Sequence, residues 1–85
     1  MNYDEMKHKL VEHYKEEIED THEYVGLAET AEENGDYETA ECLYKIAKQE
    51  YAHAHALRKH LTEEYGYDPH TDHETERKWL AIKHL

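Results

Sequence analysis

The sequence predicts an all-α fold: a long antiparallel helical hairpin with a short C-terminal helix, which dimerises into a four-helix bundle. Residues 3–33 contain no proline and place their apolar side chains on one helical face. Asn34-Gly35-Asp36 is typical of a helix end followed at once by a helix start. A chain of 85 residues buries only about 60% of the surface that it exposes when unfolded, so pairing with a second copy is expected.

The first predicted helix carries a single apolar stripe with a carboxylate in its middle. We take Glu17 as the origin and advance by about 100° per residue. The apolar residues that fall on its side are Met6, Leu10, Tyr24, Ala28 and Ala31. Glu17 is therefore an acidic residue in an otherwise apolar stripe.

The second predicted helix runs from residue 37 to residue 65 and has the same character. The apolar residues that share the face of Glu50 are Leu43, Ile46, Ala47, Ala54, Leu57 and Leu61. Each helix would have about 28 to 30 residues and a length of roughly 42 to 45 Å, which is typical of a long bundle. Residues 1–65 are predicted to form the hairpin domain.

Residues 66–85 are predicted to be a loop and a short third helix. The segment Gly66-Tyr67-Asp68-Pro69 breaks the helical pattern, because proline disfavours helix for the residue before it. Thr71 and Glu74 have the spacing of a capping box. An apolar edge for packing against the hairpin or a neighbouring copy is provided by Trp79, Leu80, Ile82 and Leu85.

The composition excludes some partners. A net charge of −11, from 10 Lys and Arg against 21 Asp and Glu, would repel nucleic acid and anionic membranes and suits cations, although a solvated helical surface alone would also explain it. Cys42 is the only cysteine, which indicates a reducing compartment. No apolar run approaches the roughly 20 residues of a membrane span, and no signal peptide is evident, so we expect a cytoplasmic protein.

The pair Glu50-x-x-His53 is the most informative motif of the chain. Residues three apart share a helical face, so this carboxylate and imidazole can bind one metal centre. Helical carboxylate proteins with two metals take a Glu from each of two helices and a Glu-x-x-His from each of the other two. Glu17, Glu50 and His53 make half of such a set, so a second copy is needed to complete it.

The predicted dimer holds two metal ions with four Glu and two His. Glu17 would be a terminal ligand, Glu50 would be able to bridge, and His53 would cap each metal. This donor set favours iron or manganese, although zinc can occupy it. The alternative is that Glu50 and His53 are a solvated surface pair without a metal.

Other polar residues near the motif have weaker interpretations. Tyr24 lies two turns after Glu17, where its hydroxyl could bond a ligand carboxylate, or its ring could simply pack in the core. Glu19-x-x-His22 repeats the motif spacing, but Glu19 points about 160° away from Glu17 and is expected at the surface. His70 and His73, which flank the loop after the hairpin, could bind a metal at the surface.

These residues resemble the rubrerythrin branch of the ferritin-like superfamily over about residues 10–62. That branch has a metal Glu, a Tyr seven residues later, a Gly-containing turn and Glu-x-x-His, and the matching residues are Glu17, Tyr24, Gly35, Glu50 and His53. Whole rubrerythrins carry two such hairpins and often a four-cysteine iron domain, whereas this chain has one hairpin and one cysteine. It is therefore more similar to the half-size, encapsulated-ferritin type, whose two-helix subunits dimerise around a di-iron site.

The resemblance implies a ferroxidase-like oxidoreductase that oxidises Fe(II) with oxygen, as a homodimer or a ring of dimers. Reduction of peroxide at the same centre fits the sequence equally. The resemblance also suggests an encapsulin shell as a partner, but residues 79–85 do not look like the Gly-containing, Leu-rich tail that directs cargo to such shells.

A second resemblance supports an alternative function. The segment from Tyr24 to Ala47 is similar to a tetratricopeptide repeat, whose helical hairpins bind other proteins. Stable arrays usually need three or more repeats, and this chain has one. The alternative to a metal centre is therefore a non-catalytic interaction module.

Overall fold

The three helices have nearly the predicted bounds. A computed structural model describes all 85 residues, Met1–Leu85, and is all-helical. Helix α1 spans Tyr3–Glu33, α2 spans Tyr37–Tyr65 and α3 spans His73–Ile82, with a 3₁₀ turn at Pro69–Thr71 before α3. The prediction of an all-α hairpin with a short C-terminal helix is therefore confirmed for the single chain.

The hairpin turn is built by the residues that predicted it. Gly35 has a φ of 75°, a left-handed conformation that glycine adopts without steric cost. Its N–H donates to the Glu32 carbonyl, and the Asp36 N–H donates to the Ala31 carbonyl, which together close a Schellman motif. The Asp36 carboxylate then accepts from the Thr39 N–H at 3.2 Å and caps α2. One helix thus ends and the next begins within three residues.

The two long helices pack along a seam of mostly small side chains on α2. The buried residues of α2 recur every seven positions, as Ala40, Ala47, Ala54 and Leu61. The buried residues of α1 are Tyr14, Ile18, Thr21, Val25, Ala28 and Ala31. A seven-residue repeat keeps one line of contact along a helix pair, and the small side chains let the two backbones approach closely.

Helix α3 folds back onto one side of α1 in the same chain. Ile82 is buried in the hairpin core, and Trp79 and Leu85 pack against that core, but Leu80 is 46% exposed and does not join the predicted apolar edge. Ion pairs between Lys15 and Asp72 and between Lys78 and Glu19 tie the helix down. No helix of the structure combines the length and the apolarity that a bilayer span requires.

The predicted capping box at the start of α3 is wrong. Thr71 belongs to the 3₁₀ turn, so the helix begins one residue later, with Asp72 as its cap. The Asp72 carboxylate accepts from the Glu74 N–H at 3.1 Å and from the Thr75 hydroxyl at 3.0 Å. Asp caps helices at least as well as Thr does. Asp72 has the extended backbone conformation that a cap requires, whereas Thr71 is part of the 3₁₀ turn.

Candidate metal centre

The structure brings Glu17, Glu50 and His53 together at the middle of the hairpin. One ligand atom from each lies within 4.8 Å of the other two. Glu50 and His53 face the same way because they are one turn apart on α2, and Glu17 reaches them from α1. The residues that the sequence singled out therefore converge within one chain.

One carboxylate oxygen of this group has no protein partner. Glu17 Oε2 is buried and accepts no hydrogen bond, although the Glu17 side chain as a whole is 25% exposed. His53 Nδ1 lies 3.7 Å from it, which is too far for a hydrogen bond. A buried oxygen without a donor has lost its hydration and gained nothing, which normally costs about 1 to 3 kcal/mol. Such an atom marks the place where a donor or a cation belongs.

The electrostatics of the group favour the arrival of a positive charge. Burial, the largest cause, and the neighbouring Glu50 carboxyl together raise the pKa of Glu17 from its ordinary 4.5 to about 7. The nearby His53 opposes this shift, and Asp20 adds to it. Without a metal, Glu17 is therefore only partly ionised at neutral pH. A cation at this position would take the place of the remaining proton.

The side chains around the candidate centre are also mostly negative. Residues 16–53, the half of the hairpin that contains the turn and the three ligands, carry 12 acidic side chains and only two basic ones. The rest of the chain has nine acidic and eight basic side chains, so it is nearly neutral. Divalent cations are therefore attracted to the half of the molecule that holds the candidate centre.

The hairpin leaves the face around the centre uncovered. Helix α3 contacts the side of α1 that carries Lys15 and Glu19, roughly 160° to 200° around the helix from Glu17. We call the uncovered surface the open face. Its residues, all half-buried or exposed in the single chain, are Met6, Leu10, Glu17, Tyr24, Ile46, Glu50, His53 and Leu57. Leu27, which is 54% exposed, lies at its edge.

Tyr24 lies on the open face but does not bond a ligand carboxylate in the single chain. Its ring is half-buried and packs against the core, and its hydroxyl makes no hydrogen bond to another protein group. Its predicted bond to a ligand carboxylate stays a prediction. Glu19, expected at the surface, pairs there with Lys78. His13 and Glu16 approach to 3.7 Å on the exposed side of α1.

The structure contains a second polar cluster that the sequence did not reveal. Tyr14 is buried, and its hydroxyl oxygen lies 2.5 Å from Nε2 of His70, which is only 8% exposed. The suggestion of a surface metal at His70 is therefore wrong. The edge of the Trp79 ring packs against the His70 imidazole, with 5.0 Å between ring centroids. Because Tyr14 and His70 are 56 residues apart and meet only when α3 docks, no local pattern signals the pair.

Polar groups around this Tyr14–His70 cluster are satisfied. Asp68 accepts hydrogen bonds from the Arg58 guanidinium through both carboxylate oxygens, at 3.1 and 3.2 Å. It also accepts from the backbone N–H of His70 at 3.0 Å. Burial lowers the pKa of His70 and raises the pKa of Tyr14, so both side chains are neutral at pH 7. The Tyr14 hydroxyl donates a hydrogen bond to Nε2 of the neutral imidazole, and the cluster needs no ion.

Comparison of the chain with models of known protein families, with curated proteins and with solved structures found no match. The resemblance to the ferritin-like superfamily therefore depends on the residues and spacings given above.

Proposed function

We propose that the protein is a ferritin-like carboxylate protein, in which two copies pair through the open face and hold two metal ions between them. The single observation that carries the proposal is the buried, unpartnered Oε2 of Glu17 beside Glu50 and His53. The proposed ions are iron or manganese, with zinc as a possible substitute, because carboxylate and imidazole ligands together suit these metals.

The ligand count supports pairing of two copies. One chain offers two carboxylates and one imidazole, which leaves most coordination positions of two ions unfilled. A two-fold axis through the open face would bring the same residues from both copies together, because such an interface uses one patch twice. The dimer would then supply four Glu and two His, enough donors to hold two ions.

The apolar residues of the open face support the same arrangement. Leu10, Ile46 and Leu57 are half-buried beside the ligands, and Met6 is 39% exposed. A face that is apolar around a small polar centre is typical of an interface between copies of a small chain. Pairing would remove these side chains from water and would close the candidate centre at the same time.

The proposed reaction is the oxidation of Fe(II), as substrate, by oxygen. A bound metal pair supplies the redox chemistry, and the residues of the chain supply position, charge and proton handling. Glu17, whose pKa is raised to about 7, would release its remaining proton when a cation binds. Glu17 and Glu50 together offset the positive charge of the ions, and His53, whose side chain is 64% exposed in the single chain, would become covered in the dimer.

Metal content and molecular mass test the proposal together. Protein purified without added iron, then exposed anaerobically to Fe(II) and desalted, is expected to run as a dimer with two irons. Glu17→Gln should lose the iron, while Glu16→Gln, a matched change of an exposed neighbour, should keep it. Oxygen uptake on adding Fe(II) then tests the ferroxidase step. Fewer than about one iron per two chains would contradict the proposal.

The rival function, a protein-interaction module without a metal, gives different results in the same experiment. Such a module would keep its mass and its thermal midpoint in the presence of a chelator. It would also tolerate Glu17→Gln and Glu16→Gln equally.

A further inference from the structure

The contact between α1 and α2 is made of small side chains on both sides of the metal ligand Glu50. Ala47 lies three residues before Glu50 and Ala54 four residues after it, and both are buried to within 1%. Ala54 also follows the ligand His53 directly. On α1, Thr21 is fully buried one turn after Glu17, and its hydroxyl donates to the Glu17 carbonyl at 2.7 Å. The Thr21 hydroxyl therefore needs no hydrogen-bond partner on α2.

The distance between the helices sets the size of the candidate centre. Two packed helices lie 8 to 10 Å apart, and the side chains at their contact decide where in this range they settle. Glu17 belongs to one helix, whereas Glu50 and His53 belong to the other. The 4.8 Å within which their ligand atoms lie therefore spans the contact between the two helices. Extra volume at the seam would separate the ligands without altering any of them.

We propose that Ala47 and Ala54 are positioning residues that set the width of the metal centre and thereby its preference for ions of a given size. The inference depends on the proposed metal function and adds what selects the ion. A narrow gap favours short metal–ligand distances. A wider gap penalises a small ion more than a large one, because the small ion cannot contact ligands on both helices.

The same seam provides a matched control. Ala40 is also buried, at 3%, and repeats the seven-residue spacing of Ala47 and Ala54. It lies ten residues from Glu50, or about 15 Å along the helix. An enlarged residue at Ala40 should disturb packing at the turn end of the hairpin and leave the ligands where they are.

The test measures the affinities of the wild type and its variants for Zn²⁺ alone and for Mn²⁺ alone, the larger ion, by competition with a chromophoric chelator. Ala47→Val and Ala54→Val are expected to weaken Zn²⁺ binding by about 10-fold or more, as changes that misplace metal ligands do. Mn²⁺ binding should weaken less, so the ratio of the two affinities should change. Ala40→Val should lower the thermal midpoint by a similar amount and leave the ratio unchanged.

A graded series at position 54 separates positioning from general destabilisation. The ratio should change progressively from Ala54→Ser, which adds one atom, to Ala54→Val and Ala54→Leu. Where the Leu variant does not fold by circular dichroism, the two smaller variants carry the test. An unchanged ratio at positions 47 and 54 in folded variants would overturn the inference, as would an equal change at position 40. A wild type that binds neither ion would instead overturn the proposed function itself.

Discussion

Two polar clusters share helix α1, where Tyr14 and Glu17 are three residues apart. They differ in whether their polar atoms have partners within the chain. The Tyr14–His70 cluster is buried, and its polar side chains are paired within the chain. The centre around Glu17 is only half-buried, yet it contains a buried oxygen without a partner. Native proteins rarely leave such a group unpaired unless it serves a purpose. The first cluster therefore holds the fold together, and the second is the one that the proposed function assigns to metal ions.

The two clusters also handle protons in opposite ways. Burial lowers the pKa of His70 and raises the pKa of Glu17, so it disfavours the charged form of each side chain. His70 is neutral because it has lost a proton, and it uses the free nitrogen to accept from Tyr14. The neutral form of Glu17 carries a proton, which a cation could displace. The proposed function therefore makes only the second cluster sensitive to metal.

The largest expected effect comes from removing a ligand at the unpaired centre. Glu17→Gln has nearly the same shape but no charge. It should weaken Fe(II) binding by at least about 100-fold, the upper end of the effect of losing a residue that only supports a ligand. The same change should raise the thermal midpoint of the metal-free protein at pH 8, because it removes repulsion from Glu50. Titration calorimetry and thermal unfolding measure the two effects. Unchanged binding would place the metal elsewhere.

A change in the Tyr14–His70 cluster should lower stability and leave metal affinity nearly unchanged. Tyr14→Phe leaves Nε2 of the buried His70 without a donor, and should reduce the free energy of unfolding by about 1 to 3 kcal/mol. Metal affinity should stay within about 2-fold of the wild type, an effect well under 1 kcal/mol. Urea unfolding and metal titration of the same preparation provide the measurement. A loss of metal with no loss of stability would show that the two clusters are not independent.

Tyr24 tests whether the open face is completed by a second copy. Its hydroxyl has no partner in the single chain, so Tyr24→Phe should change the stability of the metal-free protein very little. If pairing brings that hydroxyl to a ligand carboxylate, metal affinity should fall by up to about 10-fold. Tyr44→Phe, a half-buried tyrosine nearer the turn, is the control. Equal affinities in all three proteins would remove Tyr24 from the centre.

The smallest expected effect is a pair of opposite pH dependences in the metal-free protein. Glu17 binds its proton more tightly when folded, so its contribution to stability is full below pH 4.5 and is lost as the pH rises to about 7. His70 binds its proton less tightly when folded, so its contribution is full above pH 6.5 and is lost as the pH falls below that value.

Unfolding free energies measured from pH 4 to pH 8 separate these contributions. Glu17→Gln should abolish the decline toward pH 7, and the wild type loaded with metal should lack that decline too. The decline below pH 6.5 should persist in both. A metal-free wild type that is equally stable at pH 5 and pH 7.5, with a parallel curve for Glu17→Gln, would contradict the assignment at Glu17.

The sequence predicted the hairpin because its signals are local. Helix ends at Gly35 and Asp36 depend on neighbours a few residues away, and the shared face of Glu50 and His53 follows from helical geometry alone. The meeting of Glu17 with Glu50 required only that the hairpin close in register. Pairing of two hairpins is not visible in a single chain, and it stays a prediction.

The missed features depend on tertiary contacts or on a choice between equal local signals. The bond from Tyr14 to His70 forms only after α3 docks, so it has no signature in the sequence near either residue. The predicted start of α3 is one residue too early, because Thr71 and Asp72 are both good helix caps. Thr71 is taken up by the 3₁₀ turn, so Asp72 is the cap in the structure.

Anomalous X-ray scattering at the iron absorption edge, from crystals grown anaerobically with Fe(II), would locate the metal ions. Two iron peaks are expected on or beside a two-fold axis between the open faces of two hairpins. Glu17, Glu50 and His53 of each copy should lie within bonding distance of the peaks. Hairpins that pair through another surface, with no iron and with Glu17 facing solvent, would contradict the proposed function.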